Sequence, residues 1–567
     1  FSRYESKYSF YMKLFKKVCL FETCVRHLKG VILLRSFSVR LLSIVLCSFF
    51  ILTFAASSFP LFLSARSEDF SSEEKEALLS MIYEADIPTL HKMLSERYIT
   101  CRELTEFYLE RIEAYNDTYN CFITLCPDVL DEADKKDEAI ASGEDFGLMY
   151  GIPIVIKDNI DLSGYVTSNG ESLSRESASE DAAAVSLLRE AGAVIIGKTN
   201  MSTSAQMARY TISAVSGETV NAYSPELSAG GSSGGTAVAV SLNFAAAGLG
   251  TDTNSSLRYP AALNGDVSLR STFSLVDTSG TIILNGVRDV VGAITRSVVD
   301  QAIMLDVLTG GEHSYFKNLD GEFLSGVRVG VLRELSSESS LTDDEVLKAF
   351  DRAVEELGSL GATIVEVSFP EIFDLSSACS ENLEGYEEAK EIFYSEFKNF
   401  LSENGVSVVV FPTYLSTPNS SGFSEDNTPV ADSETYINNC SYISPVLGTP
   451  EISLPIGYHS RGAGIGMEIA SLRGEEQTLL NIAYSYELST EHRESPSGAE
   501  NLHKNENGLT IENFDNGSDS GFFSGWGRGE VSLFSMKAVP AVILVILPVI
   551  LLINYKYKSR KKKKRRE

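Results

Sequence analysis

A glycine- and serine-rich cluster that runs directly into an apolar segment constrains this chain more than any other feature. Residues 229–260 read AGGSSGGTAVAVSLNFAAAGLGTDTNSSLRYP. Glycines let a backbone approach a substrate closely, and serines supply hydroxyl groups. The apolar part, TAVAVSLNFAAAGLGT, predicts a buried helix followed by a strand, which a flexible linker would lack. A phosphate-binding loop is excluded because no Lys follows Gly235.

A lysine at the end of an apolar run offers a base for these serines. In GIPIVIKDNID, residues 151–161, a β-like run of Ile154, Val155 and Ile156 ends at Lys157. A buried strand would carry this lysine to the edge of a sheet. Apolar surroundings disfavour the charged ammonium and lower the lysine pKa, which can make the amine a usable base. Alone, Lys157 indicates a salt bridge or a surface position; beside the Gly/Ser segment it predicts a catalytic base.

Lys157, Ser232 and Ser256 lie in motifs that resemble those of the amidase signature family. The motifs are G-x-P-x-x-x-K-D-N, G-G-S-S-G-G and G-T-D-T-x-S-S-x-R-x-P, and they follow the family's order. The similarity continues through further segments of the chain: 89–116, 192–201, 448–458 and 464–487. It covers about residues 70 to 490 and implies the amidase-signature fold, an α/β fold with a central mixed β-sheet covered by helices on both faces.

The resemblance implies a Ser-Ser-Lys triad that hydrolyses carboxylic amides. Ser256 would be the nucleophile that forms the acyl enzyme, Ser232 would pass a proton, and Lys157 would be the final base. Such a triad is recognised by the roles of its members and not by their order in the chain. The oxyanion hole would be formed by the backbone N–H groups of one turn: Thr253, Asn254, Ser255 and Ser256.

The chain follows the family's pattern at one unusual bond and departs from it at several residues. The resemblance implies a cis peptide before the bridging serine, here Gly231–Ser232. Most members carry Gly-Gly before the nucleophile, where this chain has Asn254 and Ser255, and Ser268 and Ser271 replace a Gly and a Pro. A turn that required a positive φ at residue 255 would be strained. These departures keep a catalytically inactive, amidase-fold binding protein open as an alternative.

Two other serine chemistries fit short patterns in the chain. Residues 231–235 also match G-x-S-x-G, but that nucleophile elbow needs a strand directly before it, and NAYSPELSA is polar and turn-rich. Ser72 to Lys75 match S-x-x-K, but an N-cap at Ser71 or Ser72 with Glu74 in a capping box explains these residues better. The six histidines form no H-x-x-x-H pair, so neither a metal nor another cofactor is predicted.

Alternating patterns support the α/β class without the resemblance. The strand-like runs VRVGVL (327–332) and ATIVEVSFP (362–370) lie on either side of the helical pattern DDEVLKAFDRAVEELGSLG. This alternation predicts a mixed sheet with helices on both faces. The chain has 567 residues, 44 % of them hydrophobic, and residues 67–490 are predicted to form one large amidase domain.

Both ends of the chain differ from this domain. Residues 1–66 form a basic N-terminal region whose apolar run, 41–63, predicts a signal peptide or signal anchor. Residues 491–535 are polar and predict a flexible stalk. Residues 536–554 predict a transmembrane segment, and residues 555–567 a cytosolic polybasic tail.

The distribution of charge agrees with an outward-facing domain. The net charge is −29 for the whole chain and −45 for residues 67–554, which hold 29 basic and 74 acidic residues. An acidic body repels nucleic acid, and basic ends favour the cytosolic side of a membrane. The expectation is a cell-membrane protein with an extracellular catalytic domain. Its expected partners are a small amide substrate and the membrane, through the C-terminal helix and an uncleaved N-terminal anchor, with no nucleic acid.

The sequence thus predicts a membrane-tethered amidase that converts a carboxylic amide to an acid plus ammonia or an amine. The amidase subunit of a tRNA-dependent amidotransferase stays open as an alternative, because such subunits share this signature. The body holds an odd number of cysteines and implies no disulfide framework, although a bridge between Cys121 and Cys126 is conceivable in an oxidising compartment.

Overall fold

Apolar runs of the chain form the strands of a large sheet. The computed structural model describes residues 70–142, 146–337, 342–379, 385–416, 418–421 and 438–514. The chain divides into two compact units, and the fold given below is that of the unit Phe70–Ile140 with Asp145–Glu567. In the other unit, Phe1–Asp69 with Ala141–Glu144, the described residues are Ala141 and Ser142 at the end of one helix.

The described part of the chain contains thirteen strands. They are β1 Phe122–Leu125, β2 Pro153–Lys157, β3 Val194–Thr199, β4 Thr211–Ser213, β5 Gly217–Thr219, β6 Ala247–Asp252, β7 Val267–Arg270, β8 Val290–Thr295, β9 Arg328–Leu332, β10 Thr363–Val367, β11 Val408–Pro412, β12 Glu451–Tyr458 and β13 Gly464–Ala470. Most of their residues are buried, as expected for strands of an α/β sheet that is covered by other elements.

The same residues contain fourteen α-helices. They are α1 Ser72–Ser80, α2 Ile87–Ser95, α3 Cys101–Tyr119, α4 Val129–Ser142, α5 Ala183–Glu190, α6 Gly234–Ser241, α7 Arg258–Leu263, α8 Val298–Leu308, α9 Asp344–Ser359, α10 Ile372–Ala378, α11 Tyr386–Asn404, α12 Ser444–Leu447, α13 Glu476–Thr490 and α14 Ile511–Phe514. Helix α1 begins with the predicted capping box, in which Ser71 and Glu74 bond to each other's backbone N–H.

Eleven of these strands form one mixed sheet. Their order is β1-β3-β2-β6-β8-β7-β12-β13-β11-β9-β10, and β4 pairs separately with β5. Strand β2 is parallel to β3 and β6, and β9 is parallel to β10 and β11, whereas the other pairs in the sheet are antiparallel. Helices flank the sheet, for example α6 beside β6 and α8 beside β8. The predicted α/β class with a central mixed sheet is confirmed.

The segments singled out in the sequence form the expected elements. TAVAVSLNFAAAGLGT forms most of α6 and β6, with every residue of both elements buried. The pattern from 327 to 370 forms β9, α9 and β10, with the two strands parallel. Because α9 connects the parallel neighbours β9 and β10, the chain makes the crossover that parallel strands require.

The start of the predicted stalk packs on the body. Within the described residues 491–514, Arg111 of α3 donates hydrogen bonds to the carbonyls of Ala499 (2.8 Å) and Glu500 (2.8 Å). Ala499 and Phe514 are buried. The segment is polar, as its composition shows, but a buried arginine uses its carbonyl oxygens as acceptors and two apolar side chains join the core.

Several predictions concern residues that the structure does not describe. The apolar run 41–63, the segment 536–554 and the tail 555–567 lie outside the described residues. Among the helices that are described, none is both long enough and apolar enough to cross a membrane. Within the same residues Cys121 and Cys126 are free thiols, so the conceivable bridge between them does not form.

Candidate active site

The ends of two parallel strands bring Lys157 close to a threonine and a serine. Strand β2 ends at Lys157, and its parallel neighbour β6 ends just after Thr251, so both side chains lie at the same edge of the sheet. The Lys157 Nζ donates to Thr251 Oγ1 (2.8 Å) and to Ser232 Oγ (2.7 Å). The structure therefore places two of the three predicted triad residues in direct contact.

Ser232 reaches this position because glycines let its loop pack closely. A Cβ at Gly231 would overlap the carbonyl oxygens of Met207 and Tyr210, and one at Gly235 would overlap the backbone of Asn200. The peptide bond between Gly231 and Ser232 is cis, as the resemblance implied. The loop leads directly into α6, which returns the chain along the sheet to the start of β6.

The surroundings of Lys157 are polar, and none of the described carboxylates contacts its amine directly. Its side chain is fully buried, and burial lowers its pKa from 10.5 to about 7. Asp252 and Asp289 oppose this shift from a distance, because negative charges favour the ammonium. A buried amine whose contacts are hydroxyl groups can thus exist without its proton near neutral pH.

Ser256 lies in the turn between β6 and α7. Its carbonyl accepts a hydrogen bond from the backbone N–H of Ser233 (3.2 Å), which joins this turn to the loop that carries Ser232. Ser256 is 7 % exposed. In the described residues no hydrogen bond links the Ser256 hydroxyl to Ser232, and such bonds often become short only when a substrate is bound.

Four consecutive amides of this turn are available to an oxyanion. The described residues offer no hydrogen-bond acceptor to the backbone N–H groups of Thr253, Asn254, Ser255 and Ser256. Neither Asn254 nor Ser255 has a positive φ, so the turn does not need the conformational freedom of glycine. The strain considered for residue 255 is therefore absent, and the role of these amides as an oxyanion hole stays a prediction.

Buried charges hold the turn at both ends. Asp252 accepts from the backbone N–H of Leu257 (3.2 Å) and pairs with Arg258 (3.1 Å). Burial alone would raise the pKa of Asp252, but Arg258 and Arg270 outweigh burial and keep it below its ordinary value. Arg258 also donates to the carbonyl of Asn254 (2.8 Å). These contacts lie on either side of Ser256 and fix the path of the chain around it.

Two glutamates complete this network from the late strands of the sheet. Glu451 of β12 pairs with Arg258, and Glu468 of β13 lies 3.5 Å from the same guanidinium. Burial raises the pKa of Glu451 well above its ordinary value, and Arg258 opposes the rise. The turn that carries Ser256 is thereby connected to strands almost 200 residues later in the chain.

The serines that replace a family glycine and proline are buried beside this region. Ser268 lies in β7 and Ser271 directly after it. In the described residues neither hydroxyl has a hydrogen-bond partner. The two replacements add polar groups to the core, and no hydrogen bond joins either of them to Lys157 or Ser232.

The rival serine patterns do not form reactive arrangements. The Ser233 hydroxyl donates to the Thr251 carbonyl (3.2 Å), and residues 229–233 contain no strand that could support a nucleophile elbow. Lys75 pairs with Glu103 near the surface, where it supports α3. The described residues also contain no group of three His, Cys, Asp or Glu side chains that could hold a metal ion.

Sequence reasoning did not identify several residues of the site. Thr251 stands in the quoted motif G-T-D-T, but its contact with Lys157 depends on the pairing of β2 with β6. Asp252 and Arg258 stand in the same motif, and their pairing could have been suspected from opposite charges six residues apart. The parts that Glu451 and Glu468 play could not have been suspected from the sequence, because their positions follow from the order of distant strands.

Comparisons with known proteins agree with this geometry. A family described as Amidase matches residues 103–383. A glutamyl-tRNA(Gln) amidotransferase subunit from Rippkaea orientalis is 30 % identical over 490 residues, 73 % of this chain and 99 % of that protein. The corresponding subunit from Thermosynechococcus vestitus is 29 % identical over 72 % of this chain and 99 % of its own length.

Solved structures extend the similarity to the fold. The structure of the native peptide amidase from Stenotrophomonas maltophilia superimposes with a TM-score of 0.64 and 27 % sequence identity. The superposition covers 73 % of this chain and 98 % of that one. Nearly the whole length of the peptide amidase therefore matches this chain.

The relatives correct three of the sequence predictions. We expected a cell-membrane protein with an extracellular catalytic domain, a membrane anchor and signal peptide, and no nucleic-acid partner. These predictions are wrong, because the relatives that match over 99 % of their length are named as subunits of a tRNA amidotransferase. The membrane location had been predicted from basic residues beside apolar runs at the two ends of the chain, and that pattern does not by itself determine where a protein is located.

Sequence, fold and site lead to the same assignment. The relatives match this chain over nearly all of their own length, the peptide amidase superimposes on its fold, and the Lys157–Ser232 hydrogen bond joins two of the quoted motifs. Enzymes of this kind are hydrolases that act on C–N bonds. The chain belongs to the amidase signature family.

Proposed function

We propose that this chain hydrolyses a carboxylic amide with Ser256 as the nucleophile, Ser232 as the proton relay and Lys157 as the base. The observation that carries the proposal is the hydrogen bond from the buried Lys157 Nζ to Ser232 Oγ, beside the turn that presents Ser256 and four unused amides. Within the described part of the chain no charged group contacts the amine, so its neutral form is accessible near neutral pH.

The proposed reaction moves one proton through the relay and back. Ser256 Oγ attacks the amide carbon and gives its proton to Ser232, which gives its own proton to the neutral Lys157. The carbonyl oxygen becomes an oxyanion that the amides of residues 253–256 stabilise. Lys157 then returns a proton through Ser232 to the nitrogen, the C–N bond breaks, and ammonia or an amine leaves. Water repeats the sequence on the acyl ester and releases the acid.

For the biological role, we propose the amidase subunit of a tRNA-dependent amidotransferase. The support is the name shared by relatives that match this chain over nearly their full length. An amidotransferase moves an amide nitrogen, so this chain would release ammonia from an amide donor for use by the rest of the assembly. The second candidate is an amide hydrolase that acts alone, supported by the superposition on the peptide amidase.

A labelling experiment tests the catalytic proposal. The purified chain, treated with a fluorophosphonate probe, should carry the label at Ser256, and Ser256→Ala should remove both the label and amide hydrolysis. Lys157→Ala and Ser232→Ala should each slow hydrolysis, and the double variant should cost less than the two losses summed, because the residues act as one relay. Additive losses, or a label at Ser233, would contradict the proposal.

A second experiment separates the two roles. The chain is purified through a tag with the proteins that accompany it, and is given 15N-amide glutamine, ATP and glutamyl-tRNA(Gln). The amidotransferase role predicts 15N in the tRNA-bound amino acid and faster ammonia release when the tRNA is present. Hydrolysis by the chain alone, without transfer of 15N and without any effect of the tRNA, would support the single hydrolase instead.

A further inference from the structure

Two glutamates of neighbouring strands lie diagonally across from each other in the buried part of the sheet. In the antiparallel pairing of β12 with β13, Glu451 lies opposite Ala470, and Ser453 lies opposite Glu468. Alternate residues of a strand point to the same face, so the two carboxyl groups are diagonal neighbours on one face of the sheet. Both side chains are fully buried. Two negative charges so close together and away from water would repel each other strongly.

Each of these carboxyl groups has one oxygen with a donor and one without. Glu451 Oε1 accepts from Arg258 Nη1, and Glu468 Oε1 accepts from the Cys440 thiol (3.3 Å). Both Oε2 atoms are buried and have no hydrogen-bond partner among the described residues, although Glu468 Oε2 lies 3.5 Å from Arg258 Nη1. Ionised carboxylates only accept, so the two groups cannot bond to each other without a proton. One proton between them would provide a hydrogen bond for both.

The charges around the pair balance only when one carboxyl group is protonated. Among the described residues, the fully buried cluster contains three carboxyl groups and two guanidinium groups: Asp252, Glu451, Glu468, Arg258 and Arg270. Arg270 stays charged at neutral pH, although burial lowers its pKa to about 10. Burial alone would raise the pKa of Asp252, but the two arginines keep it below its ordinary value. An excess buried charge is costly, so one proton should reside on the two glutamates.

The pKa shifts around the pair agree with this count of charges. Burial raises the pKa of Glu451 well above its ordinary value, Arg258 opposes the rise, and Glu468 adds to it. Burial and the neighbouring Glu468 also raise the pKa of the Cys440 thiol well above its ordinary value. The thiol therefore keeps its proton and adds no charge to the cluster.

The pair acts on the turn of Ser256 through Arg258, which donates to the carbonyl of Asn254 (2.8 Å). We propose that Glu451 and Glu468 share one proton and, as a pair with a single negative charge, hold Arg258 against this turn. They are positioning residues, because they act on the turn only through the arginine. Loss of the shared proton would drive the two carboxylates apart and displace the arginine from the turn. This inference rests on the proposed function, in which Ser256 is the nucleophile.

Infrared spectroscopy tests the shared proton without a substrate. At neutral pH, the wild-type spectrum minus that of Glu451→Gln should contain the C=O band of a protonated carboxyl group, and so should the difference with Glu468→Gln. In each variant the new amide donates to the remaining carboxylate in place of the proton. Glu476→Gln is the matched control, because Glu476 is a buried glutamate that accepts from the backbone N–H of Thr272 (2.7 Å), and its difference should lack the band. Absence of the band from both glutamate-pair differences would overturn the proposal.

The pH dependence of stability gives a second readout. Above the ordinary glutamate pKa of 4.5, the unfolded chain has released a proton that the folded pair keeps. The free energy of unfolding should therefore fall as pH rises, until the pair loses its proton. Glu451→Gln has no such proton, so denaturant unfolding between about pH 5 and pH 9 should show a weaker fall in the variant. Equal pH dependence in both proteins would contradict the shared proton.

Activity separates a positioning role from a contribution to stability alone. Glu451→Ala cannot accept from Arg258 and should lower kcat/KM about tenfold or more, the range for a hydrogen bond to a charged group. Glu451→Gln retains the acceptor and should recover most of this loss, and thermal unfolding checks that both variants are folded. A folded Glu451→Ala with wild-type kcat/KM, or a Glu451→Gln as impaired as Glu451→Ala, would overturn the positioning role. Failure of wild type to hydrolyse any amide would instead count against the proposed function, and the infrared and unfolding results would still decide whether the proton is shared.

Discussion

Two lysines on neighbouring strands are both fully buried, but their partners differ in charge. Lys157 ends β2, and Lys198 lies in β3 at the register position of Ile156, so their side chains point to opposite faces of the sheet. Lys198 forms an ion pair with Asp158 (3.2 Å) and donates to the carbonyl of Val166 (3.0 Å). Lys157 contacts two hydroxyl groups.

The difference distinguishes a structural lysine, Lys198, from the lysine that we propose as the catalytic base, Lys157. Burial lowers the pKa of both side chains, but in Lys198 the nearby Asp158 carboxylate opposes the shift. A buried cation that is paired with a carboxylate keeps its proton and stabilises the fold. A buried amine with hydroxyl partners can release its proton at neutral pH, which suits it to act as a base.

The largest expected loss of activity comes from removing the amine of Lys157, the proposed base. Lys157→Met should reduce kcat by about two to four orders of magnitude, the usual loss when a general base is removed. The fold should survive, because an apolar side chain of similar length replaces an amine that has no ionic partner among the described residues. Kinetics with any hydrolysed amide, together with thermal unfolding, would check this. A kcat within about threefold of wild type would contradict the assignment of Lys157 as the base.

The matched substitution in β3, Lys198→Met, should have the opposite effects: it should lower stability and leave kcat nearly unchanged. Lys198→Met leaves Asp158 buried without its cation, so the free energy of unfolding should fall by about 3–5 kcal/mol while kcat of the folded protein changes little. Denaturant unfolding measures the loss, and adding Asp158→Asn should restore part of it. If Lys198→Met abolished kcat in a protein of normal stability, the contrast between the two lysines would fail.

A smaller effect is expected from the second hydroxyl partner of Lys157. Thr251→Val removes an acceptor that stabilises the ammonium form, so the lysine pKa should fall and the pH profile of kcat/KM should shift to lower pH. The loss in kcat should be about two- to tenfold, as for one neutral hydrogen bond. Thr199→Val is the matched control, since Thr199 is a buried threonine at the end of the neighbouring strand β3 whose hydroxyl bonds to Thr236. Equal effects of both variants would argue against a specific role for Thr251.

The parts of the molecule that sequence could predict are those encoded locally. Lys157 at the end of an apolar run, the Gly-Ser loop and the helix that follows are read from adjacent residues, and the structure has them as expected. The partner of Lys157 in β6 and the glutamate contributed by β12 depend on strand order, which no local pattern specifies. Residues 491–514 were predicted as part of a stalk from their polar composition. Composition does not reveal that the buried Arg111 donates to the carbonyl of Ala499 in this segment.

The most direct test of the account is the pH dependence of fluorophosphonate labelling at Ser256. If neutral Lys157 activates the serine through Ser232, labelling should be slow below pH 7, where the ammonium dominates, and should rise through a midpoint near the pKa of about 7. The rise should vanish in Lys157→Met and persist in folded Lys198→Met. A rate that does not change between pH 5 and pH 9, or the same rise in Lys157→Met, would contradict the central claim.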